Sequence, residues 1–179
     1  MRALLFACLL GGAAGVALAQ GQFNFGNRVT AAGIDAPFFR PLEDGTLVKL
    51  EGPAYLAQAY LGLETGSLGP VGPVLPFRTG AAAGYITSTA IKVDGIPGGT
   101  TVFVQMRAWE AAKGGIYEAA VAAGGYYGAS APLSLTLSEP PGAPTDMLGL
   151  QSLTLIPEPT TLTLAVLGAA VLLGRRRAT

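Results

Sequence analysis

The chain has 179 residues, half of them hydrophobic, with 26 glycines, 13 prolines and eleven basic side chains against eleven acidic ones, so its formal net charge is zero. It has no histidine, and its one cysteine is Cys8. That excludes a Cys/His zinc site, a Ser-His-Asp triad, a Cys-His dyad, a c-type haem and an internal disulfide.

Residues 1–19 read as a secretory signal peptide. Arg2 supplies the positive end, residues 4–10 the apolar core and Ala17-Leu18-Ala19 the small-x-small site, so signal peptidase would cut before Gln20. Cys8 lies inside the apolar core and not at a cleavage site. Residues 20–156 then form a body of one domain's length, able to bury a core of its own. It carries seven basic and ten acidic residues, a net charge of −3, with no basic patch for nucleic acid.

The body reads as β-rich. Phe23-Asn24-Phe25 and residues 27–30 suggest a short strand interrupted by glycine, followed by a proline-bounded loop over 35–41 carrying Phe38-Phe39. Residues 46–51 alternate as a half-buried strand, and 54–61 is apolar on both faces, as a central sandwich strand would be. The glycine- and proline-rich stretch 62–84 is expected to cross between sheets, with only 74–78 as an edge strand.

Residues 85–94 place Tyr85, Thr87, Thr89, Ile91 and Val93 on one face, and 101–109 is the clearest strand, with Val102, Val104, Met106 and Ala108 inward. The link 94–100 predicts a hairpin between the two. Alanine-rich residues 117–123, bounded by Gly114-Gly115 and Gly124-Gly125, predict a short helical turn. Leu133, Leu135 and Leu137 alternate with polar residues as a strand; 139–146 reads as a proline-rich linker, and 150–156 as a last strand.

Ten scattered carboxylates leave two-carboxylate glycoside hydrolysis open in principle, but their placement is not legible and turn positions account for most of them. No Asp-x-Asp-x-Asp-Gly calcium loop is present, and no metal or cofactor is expected. Among Phe38, Phe39, Trp109, Tyr117, Tyr126 and Tyr127, the last four are the candidate sugar-stacking rings, with core packing as the competing role.

The chain ends in Pro157-Glu158-Pro159, fifteen uncharged residues over 160–174, and Arg175-Arg176-Arg177. As a helix the uncharged run would reach about 22 Å, short of a ~30 Å hydrocarbon core. The arginines would hold the C-terminus on the cytoplasmic side.

This proline-glutamate-proline motif, apolar span and arginine cluster resemble the PEP-CTERM sorting domain, over about an eighth of the chain. The resemblance implies recognition by an exosortase, transient retention in the inner membrane and removal of the tail. Tyr127-Gly128, Ser130, Pro132 and the leucine run resemble the last hairpin of fibronectin type III and other immunoglobulin-like sandwiches. Phrases such as 52–58, 104–109 and 117–120 look like bodies of verrucomicrobial PEP-CTERM proteins.

The resulting expectation is a mostly β chain: a signal peptide helix, a single immunoglobulin-like or jelly-roll-like sandwich over 20–156 with one inserted helix, and a sorting tail over 157–179 with a transmembrane helix. Its function would be non-enzymatic, at the cell surface or in an exopolysaccharide matrix, with a carbohydrate-binding module as the alternative and a glycoside hydrolase behind it. The partners would be signal peptidase, the inner membrane, an exosortase and exopolysaccharide, not nucleic acid.

Overall fold

The alternation over 101–110 produces the central strand of the protein, and the remaining elements are arranged about it. The computed structural model describes residues 20–157. The strands are β1 (Gln20–Phe25), β2 (Arg28–Val29), β3 (Ile34–Asp35), β4 (Phe38–Pro41), β5 (Leu47–Lys49), β6 (Tyr55–Gly62), β7 (Gly69–Pro76), β8 (Thr89–Pro97) and β9 (Thr101–Glu110). One helix, α1 (Tyr117–Ala122), follows, and then β10 (Tyr126–Ala129), β11 (Leu133–Thr136), β12 (Thr145–Asp146), β13 (Leu153–Thr154) and β14 (Ile156–Pro157).

The largest sheet runs β14-β10-β9-β6-β7, with β11 also paired to β9. A second sheet is β12-β1-β8, a third is β13-β4-β5, and β2 pairs with β3. On β9, Val102, Val104, Met106 and Ala108 are all fully buried, as period two requires. They join Ala57 and Ala59 of β6, Phe23 and Phe25 of β1, and Ile91 and Val93 of β8 in one cluster, continued by Phe38, Leu50, Leu137, Met147 and Leu155. Each valine, leucine, isoleucine, methionine or phenylalanine among them contributes about 1.5–3 kcal/mol when removed from water. The described body is thus mostly β with one short helix, and its sheets share one core, an arrangement consistent with a β-sandwich.

Several expectations change. The 94–100 link is not a hairpin: β8 pairs with β1 and β9 with β6, so the chain changes sheets there. The stretch 62–84 is more regular than its prolines suggest, because β7 is an eight-residue edge strand bonded to β6 alone. Pro70, Pro73 and Pro76 cost no more than their own ladder bonds at such an edge. Part of the 35–41 loop is strand β4, with Phe38 wholly buried.

The 139–146 segment is docked against the body and does not separate it from anything. Its end, β12, pairs in parallel with β1, while Gln22 Nε2 donates to the Gly142 carbonyl at 2.6 Å and Asn24 Nδ2 to Asp146 Oδ1 at 2.6 Å. The last strand is split: Leu153 and Thr154 pair in parallel with β4, whereas Ile156 and Pro157 move to the large sheet against Tyr127 and Tyr126.

Candidate functional site

Three of the four predicted rings, Trp109, Tyr117 and Tyr127, converge where α1 lies over the outer side of β9. Gly114 and Gly125 permit that approach: a Cβ at Gly114 would sit 2.7 Å from the Ala120 nitrogen, and one at Gly125 2.7 Å from Lys113 Cγ. Tyr117, the first helical residue, then meets Tyr60, Trp109 and Tyr127 edge-on, with centroids 6.1, 6.3 and 5.9 Å away. Such tilted pairs contribute about 0.5–1.5 kcal/mol beyond their burial.

Arg107 ties the cluster together. Its guanidinium lies 3.9 Å from the Tyr60 centroid and 5.0 Å from that of Tyr117. Its Nε donates to Gln105 Oε1 at 2.8 Å, and its terminal nitrogen pairs with Glu118 Oε1 at 3.2 Å. Gln105 Nε2 in turn donates to the Ser130 carbonyl at 2.7 Å, and Trp109 Nε1 to the Gly114 carbonyl at 2.9 Å. The Tyr60 hydroxyl is 2.9 Å from both Glu118 oxygens. Burial, with the Glu118 hydrogen bond and charge behind it, pushes the Tyr60 phenol up to about 12 against the opposing effect of Arg107. Tyr117 is also raised, chiefly by burial.

Tyr60, Arg107 and Glu118 are bonded or stacked on one another, and the Tyr60 face is covered by a guanidinium, so the cluster clasps the inserted helix to the sheet. Trp109, an expected sugar-stacking ring, is corrected by its burial: it is 0 % exposed and has no face to offer a ligand. Tyr117 and Tyr127 are half-buried and steeply inclined to each other, at 83°, so they form no coplanar platform.

Tyr126 belongs to a second cluster. Tyr55 of β6 pairs with Glu110 of β9, and the Tyr126 N–H of β10 donates to Glu110 Oε2 at 3.3 Å, so the three side chains form a row across neighbouring strands. Arg40 of β4 places its guanidinium 5.9 Å from both tyrosine centroids. Both rings are half-buried and pack against the core; burial raises the Tyr55 pKa despite Arg40.

Phe38 is buried and stacks at a tilt on Phe77, 5.9 Å away, while Phe39 is half-buried. Among the described residues no group of three or more Asp, Glu, His or Cys side chains is placed to hold a metal ion, and no helix is long and apolar enough to cross a membrane. A cleft of about 90 Å³ beside Ser130, Leu133, Gln151 and Leu153 is far smaller than the few hundred Å³ of an ordinary ligand pocket.

Of the residues expected to take part in processing, Gln20 begins β1 and is exposed, and Pro157 pairs with Tyr126. Ala17 and Ala19 of the expected signal cleavage site, Glu158 and Pro159 of the expected sorting motif, the 160–174 span, and Arg175, Arg176 and Arg177 lie outside the described residues.

The sequence assigns no bonding role to two buried polar residues that hold the body together, Asn27 and Ser130. Asn27 is fully buried; its Nδ2 donates to the carbonyls of Ala36 and Gly84, both at 2.8 Å, and its Oδ1 accepts from the Ile86 N–H at 3.0 Å. Ser130 Oγ accepts from the Met106 N–H at 3.0 Å where the chain passes from β10 to β11. Nothing local distinguishes Asn27 from a turn asparagine, whereas the neighbouring Pro132 hints at the strand break around Ser130. Family models, characterised proteins and solved structures return no match to this chain.

Proposed function

We propose that the chain is an exported, non-enzymatic surface or matrix protein whose β-sandwich body is delivered by signal peptidase and an exosortase and associates with exopolysaccharide. The observation that carries this reading is the order of segments: a leader ending Ala17-Leu18-Ala19, a body free of histidine and cysteine, then Pro157-Glu158-Pro159, an uncharged span and three arginines. In this reading the body is immunoglobulin-like or jelly-roll-like, the span 160–174 is a transient inner-membrane helix with its C-terminus in the cytoplasm, and the processed protein ends at the surface or outside the cell. The short span suits temporary retention.

The experiment is mass spectrometry of the protein recovered from the cell surface and medium of a producing bacterium. Loss of the residues near or after Pro157 is the expected result, and released protein intact through Thr179 overturns the sorting assignment. Cosedimentation of the processed protein with extracted matrix polysaccharide tests the association separately.

A carbohydrate-binding role is a second reading, favoured by one feature. Tyr55 and Tyr126 stand two strands apart, about 10 Å at ordinary strand spacing, with Arg40 beside both rings and Glu110 between them. A glycan array probed with the full chain and its Tyr126→Ala variant decides it; a flat response over many polysaccharides sinks this second reading.

A further inference from the structure

The start of β1 is the surface feature whose chemistry reaches furthest. Gln20 is exposed, and its side-chain amide makes one hydrogen bond, from Nε2 to Asp94 Oδ1 at 2.7 Å. From the next residue onward the strand is fixed. A Cβ on buried Gly21 would lie 2.6 Å from Leu137 Cδ1 and 2.9 Å from the Ile96 carbonyl, while Phe23 and Phe25 are fully buried. Residue 20 is therefore the last position at this end that can change covalently without entering the core.

We infer that Gln20, once exposed as an N-terminus, is a modification site at which the chain closes to pyroglutamate. This rests on the export reading, because it requires the cut between Ala19 and Gln20. The free α-amine attacks the side-chain Cδ, the N–Cδ bond forms, the Cδ–Nε2 bond breaks, and Nε2 leaves as ammonia with the proton given up by the amine. No oxidant, reductant or second substrate is consumed, so the step proceeds spontaneously or on a glutaminyl cyclase.

The local structure accommodates the product. Ring closure occurs within residue 20 and leaves the pairing of Gly21 with Val93 and of residues 22–25 with β8 intact. Gln20 lies opposite Pro97, which has no N–H to give, and a register shift separates that pair from the regular ladder. The lactam keeps one N–H and one carbonyl for this position. What is lost is the exposed bond to Asp94, a small cost at a solvated site. The mature chain would then begin without a terminal cation and would resist aminopeptidases.

The test uses full-length chain expressed in an exporting bacterium and recovered in its exported form. Free amines are blocked at neutral pH before digestion, so that closure during acidic handling is not scored, and the N-terminal peptide is weighed. The expected peptide begins at residue 20, is unlabelled and is lighter than the open form by one ammonia; pyroglutamyl peptidase treatment then exposes Gly21. Gln20→Asn, whose shorter side chain would require a four-membered ring, is expected to give a labelled, aminopeptidase-sensitive terminus. A labelled terminal Gln20 overturns the modification while leaving the cleavage site standing. A peptide beginning at another residue overturns the cleavage assignment and the modification with it.

Discussion

The Tyr60 hydroxyl reaches both oxygens of Glu118, at 2.9 Å each, although 58 residues separate the two in sequence. The contact joins a central strand of the large sheet to α1, and Arg107 lies against both partners.

Its pH behaviour follows from the raised phenol. Tyr60 titrates near 10 in the unfolded chain and at about 12 in the fold. Above pH 10 the folded state therefore holds the proton more tightly than the unfolded state. The stabilisation is fully present below pH 10 and is lost as the pH rises through 12. Tyr55, Tyr85 and Tyr117 are raised as well, so spectrophotometric titration is expected to show a group of late phenolates that includes Tyr60, accompanied by a red shift of the single tryptophan, Trp109, as the helix releases it. Glu118→Gln removes the charge and moves the Tyr60 phenolate earlier; an unchanged titration would contradict the contact.

Asn27 satisfies three backbone groups at once, from 27 to 36, 84 and 86. Asn27→Ala leaves the Ala36 carbonyl and the Ile86 N–H buried without partners, while the Gly84 carbonyl keeps the Phe38 N–H at 3.0 Å, and each such loss costs about 1–3 kcal/mol. Urea unfolding is expected to show a loss of about 2 kcal/mol or more, or no folded protein at all. Asn27→Asp keeps the acceptor for Ile86 but turns the donors into a carboxylate facing two carbonyls, so it should fare no better. A midpoint unchanged in both variants would refute the role.

Ser130 occupies the place where β10 gives way to β11. Tyr127 pairs with Trp109 and Leu133 with Val104, so one extra residue is absorbed between them. The Ser130 N–H donates to the Met106 carbonyl at 2.9 Å while its Oγ accepts from the Met106 N–H, keeping both groups satisfied across the irregularity. Ser130→Ala is expected to destabilise by about 1–3 kcal/mol and to speed amide exchange at Met106. Exchange as slow as in the parent would show that the hydroxyl is dispensable.

Gly72 holds the edge strand β7 close to the second sheet. Its φ is +69°, and a Cβ there would lie 2.5 Å from Ile91 Cδ1 and 2.9 Å from Cγ1. Gly72→Ala adds left-handed backbone strain to a steric clash, so a loss of about 1–3 kcal/mol is expected in a denaturant titration. Gly66→Ala, with open space around its Cβ, is the control and should stay within about 0.5 kcal/mol.

The β-rich class, the central strands over 54–61 and 101–109, the 133–138 strand and the inserted helix were legible because each is set by local periodicity or by glycine boundaries. Their partners were not. Nothing within 94–100 says whether its flanking strands pair, since a tight link serves a hairpin or a change of sheet equally well; β1 and β6, distant in sequence, decide it. Similarly, the Trp109 ring sits on the outward face of β9 by alternation and would be exposed on an isolated sheet. It is buried because α1 folds back over it.

Composition by itself removed histidine chemistry from this protein and left it one cysteine, Cys8, and the order of its terminal segments is what the proposal of export and sorting rests on. Those properties depend on which residues are present and in what sequence. Tertiary structure alone decided that the arginine and tyrosines around α1 are spent on one another, that Asn27 serves three distant peptide groups, and that Gln20 stands exposed where β1 enters the core. These depend on long-range juxtaposition, which a linear pattern does not encode.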